Sequence, residues 1–225
     1  MVAVNDGATG ARPNVEILSI HVPKTAGITF SEYLKRVYGP ESVLVDNRGF
    51  DEPEVGPRIR VLHGHFPYSK WGTRFPSART IIWLRDPLRR LASHYFYWMT
   101  LPPEENHLND PLHRFVFENR LGFVEFCELP ALCNLQTALT GGHPLETFDF
   151  VGIYEYFAED LCWLQGYFGW PALDFVSHNR NRNPRYGELV RELLADAPVV
   201  KAVRERNAAD IDLFRAALAL RKRRR

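Results

Sequence analysis

Two buried-strand patterns, each followed by the start of a helix, constrain the fold of this chain more than any other feature. The first occupies residues 15–20 and is followed, after a short loop, by a helical spacing of apolar residues at 30–38. The second, at 80–84, is followed at once by Asp86 and Pro87, which suit the N-cap and the first position of a helix. Strands that alternate with helices predict a parallel sheet covered by helices.

The remaining patterns divide unevenly along the chain. Two further strand patterns occupy residues 59–63 and 148–153, while most of the second half has the spacing of helices. The helical pattern after Asp86 lies at 88–99. The others lie at 111–119, 123–128, 134–139, 157–167, 188–195 and 199–220. We predict a single α/β domain over residues 14–220, with a central parallel sheet flanked by helices, a flexible leader at 1–13 and a basic tail at 221–225.

Composition argues against several classes of protein. No apolar run approaches the roughly 18–20 residues that span a bilayer, and residues 1–13 lack the pattern of a signal peptide, so we expect a cytoplasmic protein. The three cysteines form no CxxC pair, which favours reduced thiols. The net charge is +1, but the tail holds five of the 28 basic residues, which leaves 23 against 27 acidic ones in the body. We interpret the tail as a solvated helix end and expect no nucleic acid partner.

The loop at residues 21–30, between the first strand and its helix, is the first candidate site. Backbone N–H groups converge at a helix N-terminus, where the helix dipole also favours an anion, so this loop suits a phosphate group. It is not a Walker A motif, because Lys24 precedes Gly27 instead of following it, and no obvious Mg²⁺-binding acidic residue follows the later strands. The alternative is an ordinary turn in which Gly27 provides flexibility and Lys24 faces water.

A second pair of polar residues follows the strand at 80–84. Arg85 stands directly after that strand, and Ser93 lies two turns into the next helix. Because ligands bind at the carboxyl ends of the strands in open α/β sheets, we expect both side chains to reach the same crevice. A guanidinium group and a hydroxyl together suit a phosphate monoester.

Two histidines, His63 and His65, come at the end of the strand pattern at 59–63 and are separated by one glycine. Side chains at i and i+2 of an extended chain share a face, so both imidazoles can reach the crevice, and a histidine there suits a general base. Two other interpretations remain open. The histidines pack in the core, or they form half of a metal site whose third ligand has no sequence signal. We interpret His21 as a residue that shapes the loop.

The segments HVPKTAGITF at 21–30 and RDPLRRLASHY at 85–95 resemble the paired signatures of the carbohydrate sulfotransferases that use 3′-phosphoadenosine-5′-phosphosulfate (PAPS), the group containing the heparan sulfate 2-O- and 6-O-sulfotransferases. In that family the first segment holds the 5′-phosphosulfate and the second holds the 3′-phosphate. Weaker similarity at 134–137 and 148–161 extends the match over most of residues 15–214. The resemblance implies that the donor is bound by Lys24, Thr25, Ala26, Gly27, Ile28, Thr29, Arg85 and Ser93.

The resemblance also implies catalytic roles. The segment HGH at 63–65 is similar to one in the 2-O-sulfotransferases whose second histidine is the base. This gives His65 the role of base and His63 a supporting role that orients the substrate. Lys24 would then offset the negative charge on the leaving phosphate.

Two features of the match are weaker. The polar run at 177–186 resembles by position a late loop of the family that closes over the nucleotide. This resemblance makes Arg182, Asn183 and Arg185 candidates for contacts with the donor. The composition of the run alone favours a solvated loop. Ile28 stands where the family usually has Thr or Ser. A hydroxyl contact to phosphate is therefore absent there, and only the backbone N–H remains.

The resemblance thus implies a fold of the P-loop NTPase type and the transfer of a sulfuryl group from PAPS to an acceptor hydroxyl, which in that family belongs to a saccharide. The expected product is 3′,5′-adenosine bisphosphate, and no metal is expected. Two alternatives are a nucleotide-dependent phosphotransferase, since the fold and loop would serve both chemistries, and a non-catalytic module for a phosphorylated or sulfated ligand. The second alternative would not need His65.

Overall fold

A parallel sheet of five strands lies at the centre of the protein, whose computed structural model describes residues 13–47, 52–106, 108–174 and 183–224. The strands are β1 (Ile17–His21), β2 (Val43–Asp46), β3 (Val61–Gly64), β4 (Arg79–Leu84) and β5 (Phe150–Ile153). Their order across the sheet is β2–β3–β1–β4–β5, and each neighbouring pair is parallel. The predicted α/β class with a central parallel sheet is confirmed.

The central position of β1 determines where a site can form. β1 pairs with β3 on one side and with β4 on the other, although both follow it in the chain. Connections therefore leave the middle of the sheet in opposite directions, and a crevice opens at the carboxyl ends of these strands. The loop after β1 lies at this crevice, as the phosphate loop does in folds of the P-loop NTPase type.

Helices cover the sheet and also form a separate apolar cluster. They are α1 (Gly27–Tyr38), α2 (Tyr68–Trp71), α3 (Pro87–Thr100), α4 (Pro111–Glu118), α5 (Phe123–Glu128), α6 (Leu135–Leu139), α7 (Phe157–Phe168), α8 (Tyr186–Ala195), α9 (Ala197–Arg206) and α10 (Ala208–Arg223). Within the described residues, four short 3-10 turns lie between the helices and strands, at Pro40–Ser42, Pro103–Glu105, Leu145–Thr147 and Tyr154–Tyr156. The separate cluster joins α3, α4, α5, α8 and α9 around Leu91 and Phe126.

Both faces of the sheet are buried, which explains why the strands have nearly continuous apolar sequences. Leu18 and Ile82 lie on the face that packs against α2 and α10. Ile17 and Ile81 lie on the other face, which packs against α1 and α7. Ser19 is fully buried on β1, so a polar group interrupts an otherwise apolar strand just below the crevice.

Most predicted elements are confirmed, with shifts of a few residues at their ends. α5 lies where the spacing predicts it, and Asp86 caps α3 by accepting a hydrogen bond from the Arg89 N–H at 2.9 Å. The strand β2 has no counterpart in the prediction. Its continuous apolar run, at residues 43–45, is shorter than the roughly four to eight residues that indicate a buried strand.

The C-terminal region requires two corrections. The predicted helix at 199–220 is broken at Asn207, whose buried side chain accepts a hydrogen bond from the Asn134 N–H at 3.0 Å and donates one to the Val203 carbonyl at 3.0 Å. In addition, α10 continues into the predicted basic tail. Arg221 is 6% exposed and lies 2.7 Å from Asp160, so the interpretation of the tail as a solvated helix end is wrong for this residue.

Three further observations concern the predictions from composition. The predicted leader, apart from Pro13, lies outside the described residues. No helix in the described part of the chain is both long and apolar enough to cross a membrane. Cys127, Cys133 and Cys162 are free thiols.

Candidate active site

The carboxyl edge of the sheet opens into a cavity of about 1830 Å³. Ligand pockets for one small molecule typically measure roughly 300–1,000 Å³, so this cavity has room for a nucleotide and a second ligand. It is lined by most of the residues proposed from sequence, namely His21, Lys24, Ala26, Gly27, Ile28, Thr29, His63, His65, Arg85, Ser93 and Asn183. Three motifs that are far apart in the chain therefore meet in one place.

The loop after β1 has a backbone shape suited to an anion. Lys24 and Ala26 both adopt left-handed conformations, with φ of 73° and 65°, and Thr25 lies between them. An alternation of this kind turns successive N–H groups to one side, although a non-glycine residue held in this region costs about 1–3 kcal/mol. The side chain of Ala26, the N-cap of α1, offers no acceptor to the first N–H groups of the helix. These donors remain available to a phosphate or sulfate group.

Two side chains of the loop maintain its shape. Thr25 is buried and its hydroxyl donates to the Val22 carbonyl at 2.7 Å, so that its backbone is the part left for an anion. At Gly27, a Cβ atom would lie 1.9 Å from the ring of His21. Glycine is therefore required because His21 packs over the start of α1, and not because the loop needs a flexible residue.

The next two residues of α1 face different environments. Ile28 is 44% exposed and lines the cavity, whereas Thr29 is only 4% exposed. Ile28 thus presents an apolar surface beside the loop that follows β1.

Lys24 faces the cavity, which argues against the ordinary turn in which it would face water. Its Nζ atom lies 3.9 Å from the centroid of the Tyr97 ring, a cation–π contact. Burial, and secondly the nearby charge of Arg85, lowers the pKa of Lys24 to about 8. The ammonium group is therefore mostly charged at neutral pH, close to the loop that suits an anion.

Arg85 and Ser93 line the same cavity, as the sequence predicts. Nη1 of Arg85 donates to the Lys24 carbonyl at 2.9 Å, and the guanidinium lies 4.2 Å from the centroid of the Tyr154 ring. Its Nε atom is buried and has no hydrogen-bond partner among the described residues. Since buried donors are normally paired, this unpaired donor indicates a place for an acceptor group from a ligand.

Gln136 holds the backbone of Arg85 and has no assigned role in the sequence analysis. Arg85 N–H donates to Gln136 Oε1 at 2.9 Å, and Gln136 Nε2 donates to the Arg85 carbonyl at 3.0 Å. The only sequence signal near it is the weak resemblance at 134–137. A single glutamine in a five-residue helix has no spacing pattern that would reveal this contact.

His63 is fixed by hydrogen bonds within the fold. Its Nδ1 lies 2.9 Å from the Ser19 hydroxyl oxygen, and the backbone of Gly27 also bonds to the ring. Burial, with the neighbouring His65 as a smaller cause, lowers the pKa of His63 to about 3. His63 thus joins β3 to β1 and to the start of α1 as a neutral imidazole.

His65 is in a different situation. Its Nε2 atom is buried and has no hydrogen-bond partner in the described part of the chain. Burial lowers its pKa to about 4, although Asp46 acts in the opposite direction. A neutral imidazole with an unused nitrogen is the form that can accept a proton, so His65 suits the role of base better than His63 does.

Three histidine rings lie close together in the lining of the cavity. The centroid of the His21 ring is 5.2 Å from that of His63 and 4.5 Å from that of His65. Burial, followed by the charges of these neighbours, lowers the pKa of His21 well below its usual value. Within the described ranges, no group of three or more His, Cys, Asp or Glu side chains is placed to hold a metal ion.

His94, next to Ser93 on α3, also lines the cavity and was not recognised from sequence. It is 7% exposed, its ring lies 4.4 Å from that of Trp98, and its Nδ1 has no hydrogen-bond partner among the residues described. Burial, then the charges of Arg90 and Lys24, lowers the pKa of His94 well below its usual value.

The three candidates from the late loop differ in position. Asn183 lines the cavity. Arg185 is exposed, and its Nε donates to Glu188 at 2.8 Å. Arg182 lies outside the described residues.

No protein-family model matches this chain, and no curated protein matches it significantly. Among solved structures, a sulfotransferase from Alicyclobacillus acidocaldarius is similar over 91% of this chain and 99% of its own, with 16% identity and a TM-score of 0.42. The mouse sulfotransferase SULT7A1, complexed with PAP, is similar over 85% of this chain and 88% of its own, with 13% identity and a TM-score of 0.43.

Proposed function

We propose that this protein transfers a sulfuryl group from PAPS to the hydroxyl group of an acceptor. One observation carries the proposal: an anion-binding loop, an arginine with an unpaired buried donor and a histidine with an unpaired buried nitrogen line a single cavity. The loop and the arginine each offer donors to an anion in this cavity, which suits a donor with phosphate groups at two positions. The histidine suits an acceptor that must lose a proton.

The donor would be held at both ends. The backbone N–H groups at residues 25–29 would bind the 5′-phosphosulfate, with Lys24 beside it. Arg85 and Ser93 would bind the 3′-phosphate, because a guanidinium and a hydroxyl provide directed donors to a phosphate monoester. The unpaired Nε of Arg85 supports this assignment, since a phosphate oxygen would satisfy it.

The chemistry requires one base and one positive charge. His65 would take the proton of the acceptor hydroxyl on Nε2 while the acceptor oxygen forms a bond to sulfur. The bond from sulfur to the oxygen of the 5′-phosphate breaks, and 3′,5′-adenosine bisphosphate leaves. The ammonium group of Lys24 would offset the charge that develops on that oxygen. The resemblance implies a saccharide as the acceptor and no need for a metal.

Calorimetry with the expected product and with AMP tests the assignment of the donor site. We expect 3′,5′-adenosine bisphosphate to bind at least about tenfold more tightly than AMP, because hydrogen bonds to charged groups each contribute about 1.5–3 kcal/mol. The variant Arg85→Ala should lose most of this preference, while Arg215→Ala, which removes an exposed arginine on α10, should keep it. Equal affinities of the unmodified protein for the two nucleotides would contradict the proposal.

An assay with labelled PAPS and a panel of hydroxyl acceptors, starting with saccharides, tests the reaction itself. Transfer should continue in the presence of EDTA. Loss of activity with the chelator would favour the phosphotransferase alternative, and bisphosphate binding with no transfer to any acceptor would favour the non-catalytic module.

A further inference from the structure

We propose that Gln136 is a positioning residue for the donor site, which it orients through the backbone of Arg85, and that Asp210 holds Gln136 in place. This inference rests on the function proposed above. Gln136 is fully buried and lies in α6, 51 residues from Arg85 in the chain. It would therefore act on the nucleotide only through Arg85.

The side chain of Gln136 makes the hydrogen bonds to the Arg85 backbone that a neighbouring strand would otherwise make. The ladder between β4 and β5 ends at Leu84, which pairs with Ile153, so Arg85 is the first residue beyond it. The Gln136 amide accepts from the N–H of Arg85 and donates to its carbonyl, at 2.9 and 3.0 Å. Both backbone groups of Arg85 are thereby paired, which fixes the direction in which its side chain leaves the sheet.

Asp210 secures the helix that carries Gln136. Its carboxylate accepts hydrogen bonds from the Gln136 N–H at 3.2 Å, from the Thr137 N–H at 2.8 Å and from the Thr137 hydroxyl at 2.9 Å. Asp210 and Arg90 are both fully buried, and Arg90 Nη2 lies 4.0 Å from the carboxylate. The buried Asp210 carboxylate thus caps the first N–H groups of α6 and fixes the start of this helix.

The direction of the Arg85 side chain matters because the guanidinium at its end is also restricted by its neighbours. It is held between the Lys24 carbonyl and the Tyr154 ring, with Nε left unpaired among the described residues. A guanidinium binds phosphate through donors in a fixed plane, so a small rotation of the backbone misaligns it. Loss of the Gln136 contact should therefore weaken binding of the 3′-phosphate specifically.

The variant Gln136→Met tests this step, because it preserves the size of the side chain and removes both hydrogen bonds. We expect its affinity for 3′,5′-adenosine bisphosphate to fall about tenfold, because the guanidinium of Arg85 loses its alignment with the 3′-phosphate, while the affinity for AMP stays nearly constant. In the transfer assay, the KM for PAPS should rise and kcat at saturating PAPS should change much less.

The control is Thr140→Val, which removes the hydrogen bond from the Thr140 hydroxyl to the Thr137 carbonyl in the same region. It should lower the melting temperature without changing the ratio of the two nucleotide affinities. If Gln136→Met does not fold, Gln136→Asn, whose shorter amide cannot reach both backbone groups, is measured instead. A preserved ratio in the folded variant would overturn the inference alone, whereas the absence of any preference in the unmodified protein would overturn the proposed function.

Discussion

Two clusters of buried polar side chains differ in how completely their atoms are paired. At the end of α10, Arg221 Nε donates to Asp160 Oδ1 at 2.7 Å, and the Ile153 N–H donates to Asp160 Oδ2 at 2.9 Å. At the carboxyl edge of the sheet, His65 Nε2 and Arg85 Nε are buried and have no partners among the described residues. The named atoms of the first cluster are paired within the chain, whereas these two atoms of the second are not.

The difference separates side chains that hold the fold together from those that suit a ligand. Leaving a buried polar atom unpaired costs roughly 1–3 kcal/mol, so the atoms at the carboxyl edge would gain from binding a partner. The Asp160 cluster instead fastens α10 to the end of β5. Substitutions in the first cluster should therefore affect stability, and those in the second should affect binding and turnover.

The largest effect is expected from His65→Ala. Because a general base contributes about 10²–10⁴-fold to a rate, kcat should fall by about that amount, while calorimetry should show normal binding of 3′,5′-adenosine bisphosphate. His63→Ala is the matched variant, and it should lower the melting temperature because the bonds to Ser19 and Gly27 are lost. A near-normal kcat in His65→Ala would show that His65 is not the base and would contradict the division between the two clusters.

A smaller effect, on stability alone, is expected from Arg221→Met. Removing Arg221 leaves the buried Asp160 carboxylate with only the more distant Arg224 Nη2, at 3.7 Å, as a cationic partner, and we expect a loss of up to about 3 kcal/mol in the free energy of unfolding. Arg215→Met removes an exposed partner of Asp212 on the same helix, and its effect should be below about 1 kcal/mol. Urea titration measures both values. Weaker nucleotide binding in a folded Arg221→Met protein would contradict the division between the clusters.

The smallest effect concerns pH. With His65 neutral above its pKa of about 4 and Lys24 protonated below its pKa of about 8, kcat/KM should be high between these values. It should fall as His65 gains a proton on the acid side, and by about tenfold by about pH 9 as Lys24 loses one. Lys24→Arg keeps its charge, so the alkaline fall should disappear in this variant. If kcat/KM of Lys24→Arg falls at alkaline pH as it does in the unmodified protein, the fall comes from another group.

The sequence predicts the parts of the site that depend on position along a strand. Residues such as Lys24, His65 and Arg85 follow buried strands directly, and parallel strands bring their carboxyl ends together. Gln136 and His94 could not be predicted in this way, because each lies on a helix whose placement depends on tertiary contacts. His94 lines the cavity from α3, whereas Gln136 contacts the backbone of Arg85 from α6. The edge strand β2 was missed for a local reason, since its apolar run at residues 43–45 is too short to indicate a buried strand.

Gly64 links that missed strand to the proposed base. A Cβ at this position would lie 1.9 Å from the carbonyl oxygen of Asp46 on β2, and the same carbonyl accepts the His65 N–H at 2.9 Å. The backbones of β2 and β3 are therefore so close at Gly64 that only glycine fits without a shift. An edge strand thus anchors the backbone of His65, and the close approach that permits this contact depends on a residue that has no side chain.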